Sequence, residues 1–283
     1  VTDASAGRTG VALPGGPGAG APAGPDVLAA RPLVVAHRGN STVAPQNTLA
    51  AFEAAWRAGA HSIEIDIQPT ADGQVVVIHD DTVDGTTDGQ GTVAEMTLDA
   101  LRALDAGSWF AAAYAGQRVP TFAEVLDLLV RRPGTDLLLE LKGPWTTEQV
   151  RPVTAAIRAA GLADRVIGQS FWPETVRALA EADPDLRRGL LVFQVPDDDG
   201  TGGAGVDAVL RVAAELDVMT VNPYGELLRA HPDLVERLHA AGVQVMVWTL
   251  NEPEHWAAAA ALGVDAVITD RPDRLAGWLA AHP

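Results

Sequence analysis

The chain has 283 residues, with 37 acidic against 20 basic side chains and a formal net charge of −17. That surplus argues against nucleic acid or an anionic membrane surface as a partner, and an anionic substrate would need a local island of metal, Arg or Lys. The absence of cysteine excludes disulfides and thiolate-bound metals, so any metal sits on oxygen or imidazole, and no apolar run reaches the roughly 18 residues that span a bilayer.

Residues 1–31 are rich in Gly, Ala and Pro, lack any helical or strand period, and read as a flexible tail. They lack the basic start and apolar stretch of a secretory signal. A cytoplasmic protein is therefore expected, with secretion open if a signal was removed upstream. From residue 32 to 283 the pattern is that of one globular unit. A strand is expected over Leu33–His37, a helix over Thr48–Ala58, and strands over Ser62–Gln68 and Val75–His79. Residues 80–119 break the rhythm with Gly, Asp and Thr turns and a short helix near Thr97–Leu104, and read as an insertion. Regular alternation then resumes. Helices are expected over Thr121–Val130, Thr147–Ala159, Pro173–Glu181, Val206–Leu216, Pro232–Ala240, Pro253–Leu262 and Arg271–Ala281. The strands between them are Asp136–Lys142, Val166–Ser170, Gly189–Phe193, Val218–Asn222, Gln244–Thr249 and Ala266–Thr269. Strand–helix units of this kind, roughly eight of them, predict a parallel sheet closed into a (β/α)8 TIM barrel. The run Asp197-Asp198-Asp199-Gly200 lacks the spacing and closing Glu of a calcium loop and reads as a solvated turn.

The strand Ile63-Glu64-Ile65-Asp66-Ile67 is the most informative segment. Its period of two puts the isoleucines on one face and both carboxylates on the other. Adjacent carboxylates repel and are costly to desolvate, and a hard cation between them removes that cost. Glu140 and Lys142 share a face of a second apolar strand. His37-Arg38-Gly39 and His79-Asp80 close two further apolar runs, at the ends where a barrel carries its chemistry. The other histidines, His61, His231, His239, His255 and His282, fall in helical or loop contexts and read as solvated. Trp248 is open between barrel packing and a wall for substrate, and Phe171 and Trp172 between lid and core.

Taken together, several motifs resemble the glycerophosphodiester phosphodiesterase family: Ala36-His37-Arg38-Gly39, Pro45-Gln46-Asn47-Thr48, Glu64-Ile65-Asp66, Thr70-Ala71-Asp72-Gly73, His79-Asp80, Glu140-Leu141-Lys142, Gln169-Ser170-Phe171, Trp248-Thr249 and Thr269-Asp270-Arg271-Pro272. The resemblance covers Leu33 to Leu279. It implies a barrel with a small insertion after His79, and one divalent cation, Ca²⁺ or Mg²⁺, on Glu64, Asp66 and Glu140. It further implies His37 and His79 as acid and base in unassigned order, and Arg38 and Lys142 as a phosphate clamp. The implied substrate is a small glycerophosphodiester, cleaved to glycerol 3-phosphate and an alcohol. Lysophospholipids are an alternative substrate, and a non-catalytic phosphodiester-binding barrel an alternative role. Where the family usually has Glu, this chain has Gln46, which is expected near the metal rim.

Overall fold

Alternate residues of the second strand go to opposite environments. Ile63, Ile65 and Ile67 are fully buried in an apolar cluster with Phe52, Val125 and Ile157 from the surrounding helices. Glu64 and Asp66, equally buried, lie on the other face, toward the barrel axis. This division between an apolar outer face and a chemical inner face recurs around the sheet. In a computed structural model, which describes residues 31–195 and 204–282, the elements run in a βα order. They are β1 (Leu33–Ala36), α1 (Leu49–Arg57), β2 (Ser62–Pro69), β3 (Val75–Val77), α2 (Leu98–Arg102), α3 (Phe122–Arg131), β4 (Asp136–Leu141), α4 (Thr147–Ala159), β5 (Val166–Ser170) and α5 (Pro173–Ala182). They continue with β6 (Arg187–Val192), α6 (Ala204–Glu215), β7 (Thr220–Pro223), α7 (Gly225–Ala230), α8 (Leu234–Ala240), β8 (Gln244–Val247), α9 (Pro253–Ala261), β9 (Ala266–Thr269) and α10 (Pro272–Ala281).

Strands β1, β2 and β4 to β9 pair in parallel, and the β1–β2 pairing closes the ring. The protein is a (β/α)8 barrel. Beneath the mouth, Val35, Leu138, Met246, Ala266 and Ile268 fill the interior with an apolar plug, so the barrel is a packed core rather than a channel. The helix starts follow local capping chemistry. The Thr48 hydroxyl accepts from Ala51 N–H at the start of α1, and Thr121 with Glu124 forms a reciprocal box at the start of α3.

Strand β3 departs from the expected pattern. It is antiparallel to β2, three residues long, and outside the ring. His79 therefore does not end a barrel strand. The hairpin at Thr70–Gln74 turns the chain back, and Ile78 N–H donates to Asp66 O, which returns His79 to the level of the acidic strand. Helix α7 was not expected from the sequence; it is six residues long and buries only Leu227 and Leu228. Residues 80–119 carry α2, and their Val83, Val93, Leu101, Ala106 and Val119 form a separate apolar cluster with Val76 and Ile78. Among the described residues no helix is long and apolar enough to cross a membrane. The tail over residues 1–30 and the Asp197–Gly200 turn lie outside the described residues.

Candidate active site

Three carboxylates converge at the mouth. Glu64, Asp66 and Glu140 are 2%, 1% and 6% exposed, and each offers an oxygen within 4.8 Å of the others. Registration produces this. Asp66 on β2 pairs directly with Glu140 on β4, and Glu64 sits one inward position below Asp66. The structure brings together the three residues that the sequence singles out as candidate metal ligands.

Two cations stand against the three anions. Lys142 Nζ lies 3.0 Å from Glu140 Oε1 and 3.9 Å from Asp66 Oδ1, and Arg38 Nε lies 3.4 Å from Asp66 Oδ2. Glu140 Oε1 is fully buried, with the Lys142 ammonium as its ion-pair partner. Burial first, then the charges of Asp66 and Glu140, push the Glu64 carboxyl well above its ordinary range. Burial and Asp66 push Glu140 up to about 7. Burial acts on Asp66 in the same sense, but Arg38, His79, Lys142 and an Asn47 hydrogen bond outweigh it and hold this carboxylate low. A metal-free cluster thus keeps one charge and resists the others. An all-oxygen donor set of three buried, closely spaced carboxylates fits a hard divalent cation.

The loop after β1 is built around the cluster. Arg38 and Asn47 hold left-handed backbone at φ 56° and 54°, a conformation costly for side chains other than glycine. It is fixed by polar contacts. Arg38 N–H donates to Glu64 Oε2 at 3.0 Å, Asn47 N–H to the Arg38 carbonyl at 3.0 Å, and Asn47 Nδ2 to Asp66 Oδ2 at 2.8 Å. Gly39 is obligatory, because a Cβ there would stand 2.7 Å from the Ala51 backbone. Gln46 does not reach the carboxylates directly. Its Oε1 accepts from Arg38 Nη1 at 2.8 Å, so it acts on the cluster through the guanidinium.

The two predicted histidines face the same cavity as Glu64 and Glu140. Each has a carboxylate behind it. His37 Nδ1 is 2.6 Å from Asp270 Oδ1, and His79 Nδ1 is 2.7 Å from Asp80 Oδ1. Asp270 also accepts from Ser41 Oγ and Asn251 Nδ2. These bonds, with His37, overcome its burial and set its pKa at about 2. His79 is pushed down, chiefly by burial, with Arg38 and Lys142 adding to the effect against the pull of Asp66. Sequence reasoning gave no role to Asp270, Asn251 or Asn47. Asp270 carried a usable signal, since it follows β9 at the rim as His37 follows β1.

Opposite the acidic cluster, Trp248 joins Phe171 at a centroid separation of 5.5 Å, Tyr224 at 5.2 Å and Phe193 at 6.2 Å. Its indole N–H donates to Asn222 O at 2.7 Å. Trp248 both packs against the inner plug and lines the cavity, as does Phe171 on the cavity side. Trp172 touches Phe171 edge-on at 6.3 Å and stands outside the lining. His61, His239, His255 and His282 are exposed and His231 is half-buried, away from the site.

Comparison with known proteins agrees with this geometry. Residues 37–274 match the model of the glycerophosphoryl diester phosphodiesterase family. A glycerophosphodiester phosphodiesterase of Caldanaerobacter subterraneus subsp. tengcongensis is 36% identical over 250 residues, which is 86% of this chain and 96% of the relative. The crystal structure of a glycerophosphodiester phosphodiesterase from Agrobacterium tumefaciens superposes with a TM-score of 0.73 at 30% identity, covering 87% of this chain and 99% of that one. A phosphodiesterase of Oleispira antarctica, solved with its product sn-glycerol-3-phosphate, gives 0.77 at 28% identity over 88% of this chain and 97% of that one. The chain is a phosphodiesterase with a (β/α)8 barrel and belongs to the glycerophosphoryl diester phosphodiesterase family.

Proposed function

We propose that the protein hydrolyses glycerophosphodiesters to glycerol 3-phosphate and an alcohol, with His37 and His79 as the acid–base pair and one divalent cation, Ca²⁺ or Mg²⁺, held by Glu64, Asp66 and Glu140. The observation that carries this reading is the shared cavity. Three buried carboxylates have oxygens within 4.8 Å of one another, and two of them, Glu64 and Glu140, line the same cavity as both imidazoles and Arg38. The product bound by the Oleispira antarctica relative supports glycerol 3-phosphate as the product here.

A phosphodiester resists attack because its negative charge repels nucleophiles. A divalent cation held by Glu64, Asp66 and Glu140 would offset part of that charge. The residues of the chain supply the rest. Arg38, whose fork is held by Gln46 and Asp66, presents a planar donor set to the phosphate, and Lys142 adds a point charge. One imidazole removes the proton from the attacking oxygen, and the other gives a proton to the leaving alkoxide as the phosphorus–oxygen bond breaks. Asp270 and Asp80 accept from the Nδ1 side of each ring, which leaves each Nε2 to face the substrate. The aromatic wall excludes water and lowers the local dielectric, which strengthens each of these interactions.

The test is purified protein with Ca²⁺ or Mg²⁺, offered glycerophosphocholine, glycerophosphoethanolamine and a lysophospholipid, with products identified. Release of glycerol 3-phosphate from the first two, abolished by a chelator and restored by the cation, is expected. Hydrolysis insensitive to metal removal, or none of the water-soluble diesters cleaved, would overturn the reading.

A further inference from the structure

The mouth holds two cavities that meet at His37 and Arg38. The inner one is the narrower, reaches down to Ile268 of the apolar plug, and is lined by Glu64 and Glu140 of the acidic cluster and by Trp248 and Phe171. The outer one is more open and is lined by Ser41, Thr42, Trp109 and Asp270 as well as by His37 and Arg38. No role in the chemistry has been given to Trp109, yet it is firmly held. It is 42% exposed, its indole N–H donates to Ala106 O at 3.0 Å, and Phe110 meets it edge-on at 5.7 Å. Asp105 braces the same loop by accepting from the backbone of Gly107, Ser108 and Gly116. Gly107 admits no side chain, since a Cβ would meet Tyr114 O at 1.9 Å. Tyr114 in turn donates to Val43 O at 2.6 Å, tying the loop to the segment after β1. A solvent-facing indole fixed by this many contacts at the edge of a catalytic cavity is a binding surface rather than a by-product of packing.

We propose that the two cavities receive the two ends of the diester, the narrower one its glycerol and the open one a cationic amino-alcohol head group that rests on Trp109 within reach of Asp270. This rests on the hydrolytic reading given above. A substrate family with one constant and one variable end places the constant end where size is limited and the variable end where space is open. With the phosphate on Arg38, the ammonium of choline or ethanolamine stands a short carbon bridge further out, where the outer cavity offers an indole and a carboxylate that stays ionised. An indole face favours a quaternary over a primary ammonium, and either over an uncharged polyol. The order of preference is therefore glycerophosphocholine, then glycerophosphoethanolamine, then glycerophosphoglycerol. An acyl group on the glycerol would have to enter the narrower cavity, so lysophosphatidylcholine ranks last.

The experiment measures kcat/KM for all four substrates with the wild-type holoenzyme, Trp109→Ala and Trp109→Phe, together with inhibition by glycerol 3-phosphate. Trp109→Ala is expected to lower kcat/KM for glycerophosphocholine by about tenfold more than for glycerophosphoglycerol, with Trp109→Phe in between. Inhibition by glycerol 3-phosphate, which occupies the inner cavity, is expected to stay as in the wild type and shows that the variants are folded. Equal losses on charged and uncharged head groups, a wild type that prefers glycerophosphoglycerol, or lysophosphatidylcholine as best substrate would each overturn the head-group assignment while leaving hydrolysis intact. Failure to cleave any diester would overturn both readings.

Discussion

The two sides of the barrel mouth are built from opposite materials. On the side of β1, β2 and β4 the inward groups are charged: Arg38, Glu64, Asp66, Glu140 and Lys142. On the side of β5 to β8 they are the rings of Phe171 and Trp248, and Trp248 also meets Tyr224 and the exposed Phe193, which stack on each other at 5.1 Å. Neither side works alone. Charges in open water attract and repel weakly, and rings without charges supply no chemistry. The cost of burying the cluster is visible in the raised Glu64 and Glu140 carboxyls, and Phe171 and Trp248 line the cavity they share with it. The contrast predicts a division of labour: loss on the charged side should remove turnover, whereas loss on the ring side should weaken substrate binding.

The largest expected effect is on the charged side. Asp66→Ala removes the carboxylate that Arg38, Lys142 and Asn47 all address, and turnover should fall on the order of 10³-fold even at high cation concentration. A steady-state assay with Ca²⁺ or Mg²⁺ in excess measures it, and a drop in affinity rescued by more metal would mean that the residue only helps to load the site. Next come the imidazoles. His37→Ala and His79→Ala should each cost about 10²- to 10⁴-fold in kcat while cation binding persists, because neither is placed among the ligands. Calorimetry alongside kinetics separates the two, and near-normal turnover in either variant takes that histidine out of the mechanism.

On the ring side, Trp248→Leu should raise KM by about tenfold and change kcat less. If kcat falls as steeply as with the histidines, the wall positions the reaction and the division of labour fails. Gln46→Glu is the smallest effect. Its carboxylate would pair with Arg38 and draw that positive charge away from the cluster, so cation affinity should tighten by a few-fold and by about tenfold at most, the range in which neighbours of ligands act. Superimposable plots of activity against metal concentration would show that the amide serves only to hold Arg38.

Much of this division could be read before any coordinates. Alternation over Ile63–Ile67 placed two carboxylates on one face, and apolar runs ending in His37, Glu140 and Trp248 placed them at strand ends, because the physics of burial writes a period of two into every barrel strand. Direction was less legible. A Val75–Val77 run carries no mark of parallel or antiparallel pairing. The five-residue link Thr70–Gln74 did carry one, since a parallel return needs a crossover of a dozen or more residues. Helix α7 escaped because six residues with two buried leucines give too short a period to detect. Partnership across the sheet was the least visible feature. Asp270 meets His37 only because β9 closes against β1, a contact between residues 233 positions apart. Trp109 owes its place at the mouth to the Tyr114–Val43 bond, and nothing in its local sequence announces that.

The central claim is that Glu64, Asp66 and Glu140 form one cation site whose charge the ring side keeps out of water. Calorimetric titration of metal-stripped protein with Ca²⁺ or Mg²⁺ at pH 8 and pH 5.5, with thermal unfolding in parallel, tests it most directly. Because Glu140 is raised to about 7, the folded metal-free protein holds more protons than the unfolded chain between the ordinary carboxylate range and pH 7. Its stability should therefore fall as pH rises through that window. The cation has to displace the protons that the raised Glu140 and Glu64 carboxyls hold, so its affinity should weaken by at least about tenfold per pH unit below 7. The result predicted is one cation per chain, tight at pH 8 and weak at pH 5.5, with its largest stabilisation where the metal-free protein is least stable. Two cations per chain, binding independent of pH, or wild-type binding by Asp66→Ala would contradict it.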